Sequence, residues 1–257
     1  MEVDFSKFKI KWPKSYYKGI EIEKLVNFHH SMNREYPPTR PTIISKNILQ
    51  LIFAICEKMK YSNETKTSIL NLFSNIYKKD PKSVEEDSLL FVLVSLLIVS
   101  KIFEKDYTTF DVIHNLTNHS YTNPQIISVE SLIISEFGFD MLNNDGEVFS
   151  YNYLYYIYLI KPIFPADKFP CLIRVCEIIH DILAIEYDKF KISITEDLFA
   201  LALIQSATTI LTQHSGCYPF IWKLQSFCYY DENTILKISK KMLKIVLGNE
   251  FYADLSI

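Results

Sequence analysis

Glycine is scarce in this chain: there are five in 257 residues, about 2% where soluble proteins usually carry near 7%. Turns that need positive φ, which sheet-rich folds use freely, are left with few residues suited to them. The deficit argues against a sheet-based architecture and for an almost wholly helical one. Long hydrophobic runs are missing too. Leu89–Val99, broken only by Ser95, is eleven residues long, against the roughly 20 that a membrane-spanning helix requires. Nor is there a block of like charge. A net charge of −3 and a pI of about 6.1 disfavour nucleic acid as the main partner, because phosphate binding needs clustered Lys and Arg. The first residues, "MEVDFSKFKIKWPKSYY", contain no apolar signal-peptide region, so a cytoplasmic or nuclear protein is expected, with no membrane partner. Asn63-Glu64-Thr65 and Asn115-Leu116-Thr117 are then chance sequons. The five cysteines (Cys56, Cys171, Cys176, Cys217 and Cys228) form no C-x-x-C pair and are expected to be reduced.

Catalytic signatures are equally thin. The chain has no Gly-rich phosphate loop, no G-x-S-x-G and no H-E-x-x-H, and nothing in it calls for a cofactor. His114 and His119, five apart, would fall on different faces of a helix. Cys176 and His180, four apart, could share one, but no third metal ligand accompanies them. A packed cysteine and a capped or exposed histidine is the plainer reading. An enzyme is not expected.

What is present is helical patterning. "SLLFVLVSLLIVSKIFEK", residues 88–105, could as an apolar run be a strand or a helix. Asp87 and Ser88 ahead of it are good N-caps, and a helix from there to Ile102 has an ordinary length. A helix apolar on all sides must be buried on all sides. Residues 1–41, with prolines at 13, 37, 38 and 41, read as an arm with one short helix near Glu21–Met32. Five helices follow, at about 45–60, 63–79, 87–102, 108–117 and 123–137, the last with Asn123 at the N-cap and Pro124 after it. "MLNNDGE", residues 141–147, breaks the pattern. A second five lie at about 147–160, 168–186, 194–212, 218–227 and 232–247, and their third member, "ITEDLFALALIQSATTIL", is again the most apolar. Five helices, a break and five more, with the third of each set buried, predict a structural repeat. Two polar residues sit oddly in this pattern. Lys101 closes the most apolar helix, and Glu130 lies between Ile127 and Ile134 at i, i+3 and i+7 on one flank.

These residues carry a family resemblance. "LLIVSKIFEK" resembles the cyclin box segment usually written LLIASKYEE. "YTNPQIISVESLIISEFGFDM", Tyr121 to Met141, resembles YTKEQILRMERLILKTLEFDL without gaps. "YSNETKTSILNLFSNIY" fits the preceding helix, and three later segments, from Cys171, Thr195 and Phe220, look like the C-terminal cyclin fold in order and spacing. The resemblance covers about 42–250. It implies an all-α chain of two tandem five-helix cyclin boxes, with an arm over 1–41, boxes over 42–141 and 142–250, and a tail over 251–257. It also implies a regulatory subunit that binds and activates a cyclin-dependent protein kinase. Lys101 and Glu130 match the charge pair that cyclins set against the backbone near the kinase αC helix, holding that helix inward so that the catalytic Lys–Glu pair can form. Ile98, Ile102, Ile134, Phe139 and Met141 match the apolar contacts around them.

The departures are informative. The substrate-docking groove of cell-cycle cyclins begins with MRAIL and a tryptophan three residues on. This chain has "SKNIL", Ser45 to Leu49 with Ile48 inside it, then Ile52, and Leu89 stands where the groove has glutamine. Docking of Arg-x-Leu peptides is not expected. Lys46 and Ser74 stand near the places of a buried Arg–Asp brace, and no R-x-x-L destruction signal follows Arg34, Arg40 or Arg174. These losses leave open a second reading, a cyclin-fold structural subunit of a multiprotein assembly that binds no kinase. A third, use of the fold on DNA in the manner of transcription factor IIB, lacks the zinc ribbon and the basic charge.

Overall fold

The computed structural model describes residues 35–36, 44–138, 153–190, 192, 194–212 and 230–248. These divide into two compact units, one holding 44–138 and the other 153–248 with residues 35–36. Helix dominates both, as the glycine deficit predicts. The exception is a two-residue antiparallel pair of strands, β1 (Glu35–Tyr36) and β2 (Ile194–Thr195), with Glu35 opposite Thr195. The helix expected at Glu21–Met32 and the one at 218–227 lie outside the described residues.

In the unit 44–138 most helices begin at a side-chain cap. The Ser45 hydroxyl accepts from the Ile48 N–H at 3.3 Å and opens α1 (Lys46–Met59). Ser62 accepts from the Thr65 N–H at 3.2 Å and opens α2 (Asn63–Lys79). Asp80 then caps a short helix that the periodicity did not reveal, α3 (Pro81–Glu86), whose proline sits in the first turn where its missing N–H costs nothing. Asp87 caps α4 (Ser88–Phe103) through the Leu90 N–H at 3.1 Å. Eleven consecutive residues of α4, Leu90 to Ser100, are buried. That is possible because α1, α2, α3 and α6 all touch it. Two further helices, α5 (Phe110–Leu116) and α6 (Asn123–Phe137), complete the unit. The cap of α6 is Thr122 rather than Asn123. The Gln125 side chain reaches back to the Thr122 N–H at 2.8 Å, while Asn123 is spent on His114.

The other unit has α7 (Tyr153–Ile160), α8 (Phe169–Ile185), the single turn α9 (Tyr187–Phe190), α10 (Glu196–Thr212) and α11 (Glu232–Leu247). Here α10 is central. Leu198 to Ile204 are buried without a break, and α7, α8 and α11 lie against the helix. Its Ser206 hydroxyl meets that of Ser239 on α11 at 2.9 Å, so a buried polar contact is satisfied across the packed pair. Among the described residues no helix is long and apolar enough to cross a membrane.

Candidate functional site

Where α4 leaves the core, its last turn carries Lys101 to the surface, a position that also suits a cation at a helix C-terminus. The ammonium donates to the Glu130 Oε1 on α6 at 2.7 Å. The two side chains differ in exposure, 40% for Lys101 against 17% for Glu130, so the acid is held in place while the lysine still faces solvent. Phe110 of α5 lies under the ammonium, its ring centre 6.0 Å away. Two ties fix the helices that bring the pair together. The Tyr121 hydroxyl, just ahead of α6, donates to the α4 cap Asp87 at 2.7 Å. Glu104, just past α4, accepts from the Ser62 N–H at 2.8 Å and from the hydroxyls of Ser62 and Thr65.

Around the pair the surface is apolar. Ile102, Ile127 and Ile134 are 52%, 46% and 46% exposed, with Ile127 and Ile134 flanking Glu130 along α6. Bulky aliphatic side chains left in water beside a charge pair are the mark of a contact surface more than of a solvated helix edge. Ile98 departs from expectation. It is 4% exposed and belongs to the core, because it lies on the inner side of α4, three residues before Lys101. Ile127 supplies exposed surface in its place, and the i, i+3, i+7 row was the signal for it. Phe139 and Met141 lie outside the described residues.

The residues matched to the docking groove are mostly withdrawn. Leu49 and Ile52 are fully buried, Ile48 is half-buried, and Ser45 is occupied as the cap of α1. Only Leu89 offers a large exposed apolar side chain. Ser74 is buried and spends its hydroxyl on the Leu70 carbonyl, while Lys46 is exposed.

The other candidate chemistry dissolves. His119 is not on the helix of His114. The helix ends at Leu116, and Asn118 and His119 take positive φ, which folds the His119 ring back onto His114 at 5.4 Å between centres. His180 is fully buried, contrary to the expected capped or exposed histidine, and packs against the rings of Tyr153 and Phe199. Burial pushes the Cys176 thiol well up, with Glu177 adding to it, the reverse of what a thiolate nucleophile needs. No group of three or more metal-ligating side chains occurs among the described residues.

The described residues thus set the Lys101–Glu130 pair in an apolar surface on a helical core and bring together no catalytic or metal-binding cluster. The model of the cyclin N-terminal domain matches residues 15–142, and the chain belongs to the cyclin family, whose members are regulatory and not catalytic. A viral cyclin from herpesvirus saimiri, solved by X-ray crystallography, is similar in structure with a TM-score of 0.61 at 14% identity. The match covers 91% of this chain and 100% of that one, a likeness of fold. No curated protein matches the sequence.

Proposed function

We propose that this chain is a two-box cyclin, with boxes over 42–141 and 142–250, that binds a cyclin-dependent protein kinase and activates it allosterically. The single observation that carries the reading is the Lys101–Glu130 bond at an exposed edge ringed by Ile102, Ile127 and Ile134. Glu130 is pinned, so the two charges are oriented before any partner arrives. A kinase backbone docking there would gain hydrogen bonds from both without the entropy cost of ordering them. The isoleucines would supply the apolar area around the pair. The result would be to hold the kinase αC helix inward.

Truncating either charge leaves the other unmatched in a desolvated interface, which typically costs roughly 2–5 kcal/mol in binding. That corresponds to a loss of about 30- to 5,000-fold. In the free protein an exposed ion pair of this kind is worth about 0–1 kcal/mol. Lys101→Ala and Glu130→Ala should therefore melt close to wild type, yet fail to co-precipitate or activate the kinase. Normal kinase binding by both variants would make the pair an ordinary surface ion pair, and a wild-type chain that binds no kinase would favour the second reading, a structural subunit of a larger assembly. One observation favours that reading already: Leu49 and Ile52, matched to the docking groove, are buried.

A further inference from the structure

We infer that α11 carries a docking stripe for an acidic segment of a protein partner, separate from the Lys101–Glu130 face. Lys237, Lys240, Lys241 and Lys244 stand at i, i+3, i+4 and i+7, the spacing that puts four side chains on one flank of a helix. Lys237, Lys240 and Lys244 are exposed, and Lys241 is half-buried with its ammonium 5.9 Å from the Phe190 ring centre. None of the four is in an ion pair or hydrogen bond among the described residues. Its apolar flank is committed elsewhere, since Ile235, Ile238 and Met242 are buried in the core of the unit.

This arrangement works against the helix. Like charges at i+3 and i+4 repel, and an ordinary solvated face relieves them with glutamates one turn away. Here the only acid on the helix is Glu232, in its first turn. The C-terminal dipole favours Lys244, in the last turn, and accounts for none of the others. The chain as a whole carries −3, so the stripe is a local reversal of sign.

Its dimensions choose among anionic partners. Lys237 to Lys244 covers about 10 Å at 1.5 Å of rise per residue. A nucleic acid is disfavoured because no aromatic side chain of α11 is available to stack on bases. A membrane surface is disfavoured because the apolar flank, which would have to insert, faces the core. An extended peptide with acidic residues at alternate positions presents a carboxylate about every 7 Å along one face. Lysines one helical turn apart, with long flexible stems, can match that spacing.

The test uses the full chain and a short fluorescein-labelled glutamate-rich peptide, read by fluorescence polarisation. The expected result is saturable binding that weakens steeply with added salt, since exposed charges are screened beyond about 10 Å at 0.1 M. The triple variant Lys237→Gln, Lys240→Gln, Lys244→Gln should bind about tenfold more weakly or worse, because individually weak exposed pairs act here together. Glutamine is a good helix former and removes the repulsion, so the variant should melt at or above the wild-type temperature. The matching triple arginine variant should restore binding. Several results would overturn the inference: no binding of the peptide, binding indifferent to the triple glutamine variant, or tighter binding of a single-stranded oligonucleotide or phosphatidylserine vesicles through the same lysines. So would self-association of the chain that those lysines alone sustain.

Discussion

At the end of α4 the Glu104 carboxylate gathers three donors from the start of α2, the Ser62 N–H and the hydroxyls of Ser62 and Thr65. Burial alone would raise its pKa, but these three bonds outweigh that and hold the carboxyl below its ordinary value. A depressed folded-state pKa means stability that is present above the unfolded value and lost as pH falls through the folded one. Glu104→Gln should therefore lower the melting temperature at neutral pH. The gap to wild type should close only as pH falls below the ordinary carboxylate range, through that lowered folded-state value, where both chains become neutral at this site. A gap that persists into acid would mean that the amide is misplaced for steric reasons and the charge is irrelevant. Tyr121 answers with the opposite sign. Burial, and then its bond to Asp87, push the phenol up to about 12. Its contribution is complete below the ordinary tyrosine value and disappears only as pH rises through about 12. Tyr121→Phe removes one hydrogen bond to a carboxylate at a partly exposed place, so a loss of about 1 kcal/mol is expected in chemical denaturation at neutral pH. Asp87 would keep its bond from Leu90.

Within α4, Ser95 is the polar residue of the run Leu89–Val99, and it is fully buried. Its hydroxyl bonds back to the Phe91 carbonyl of its own helix at 2.8 Å, so it asks nothing of its neighbours. Ser95→Ala should accordingly change stability by less than about 1 kcal/mol. Leu96→Ala one residue on, also fully buried, should cost about 2–5 kcal/mol through lost burial and the cavity left behind. Equal losses in urea titrations of the two would show that the hydroxyl is an essential link. The same helix shows what the sequence could reveal. The thirteen apolar or small residues between the Asp87 cap and Lys101 favoured a helix covered on every side, and α2, α6 and α11 match their expected bounds. Other features escaped for physical reasons. In α3 there are too few residues to show a period, although Asp80-Pro81 was a legible start. Thr122 displaced Asn123 as a cap because Gln125 could reach back to it and Asn123 had a better partner in His114. The pairing of Glu35–Tyr36 with Ile194–Thr195 is a contact between distant segments, which no local pattern encodes. For the candidate site, spacing alone placed Glu130 between two isoleucines. Which isoleucines face water depended on how α4 is rotated in the core, and Ile98 turned inward.

On the scale of the whole molecule, a cyclin that selects substrates by docking needs a second exposed apolar site besides its kinase face. Here two of the positions matched to such a site, Leu49 and Ile52, are drawn into the core. Ile52, where the groove carries tryptophan, has no exposed surface, and Leu49 has none either. Ser45 is bound to the start of α1, and Leu89, where the groove has glutamine, is an aliphatic chain that can form no side-chain hydrogen bond. The Leu of an Arg-x-Leu peptide would gain burial of about 1.5–3 kcal/mol only if a pocket received it. Without one, the peptide must still give up its conformational freedom on binding. An Arg-x-Leu peptide is therefore expected to show no heat of binding in calorimetric titration at micromolar concentrations, whether or not the proposed kinase contact through Lys101 and Glu130 holds. A dissociation constant in the low micromolar range would mean that the groove survives by other contacts, with Leu89 the first residue to test. If no binding is seen, recognition of substrates would rest with the proposed kinase partner or with surfaces elsewhere on this chain, of which the lysine flank of α11 is one.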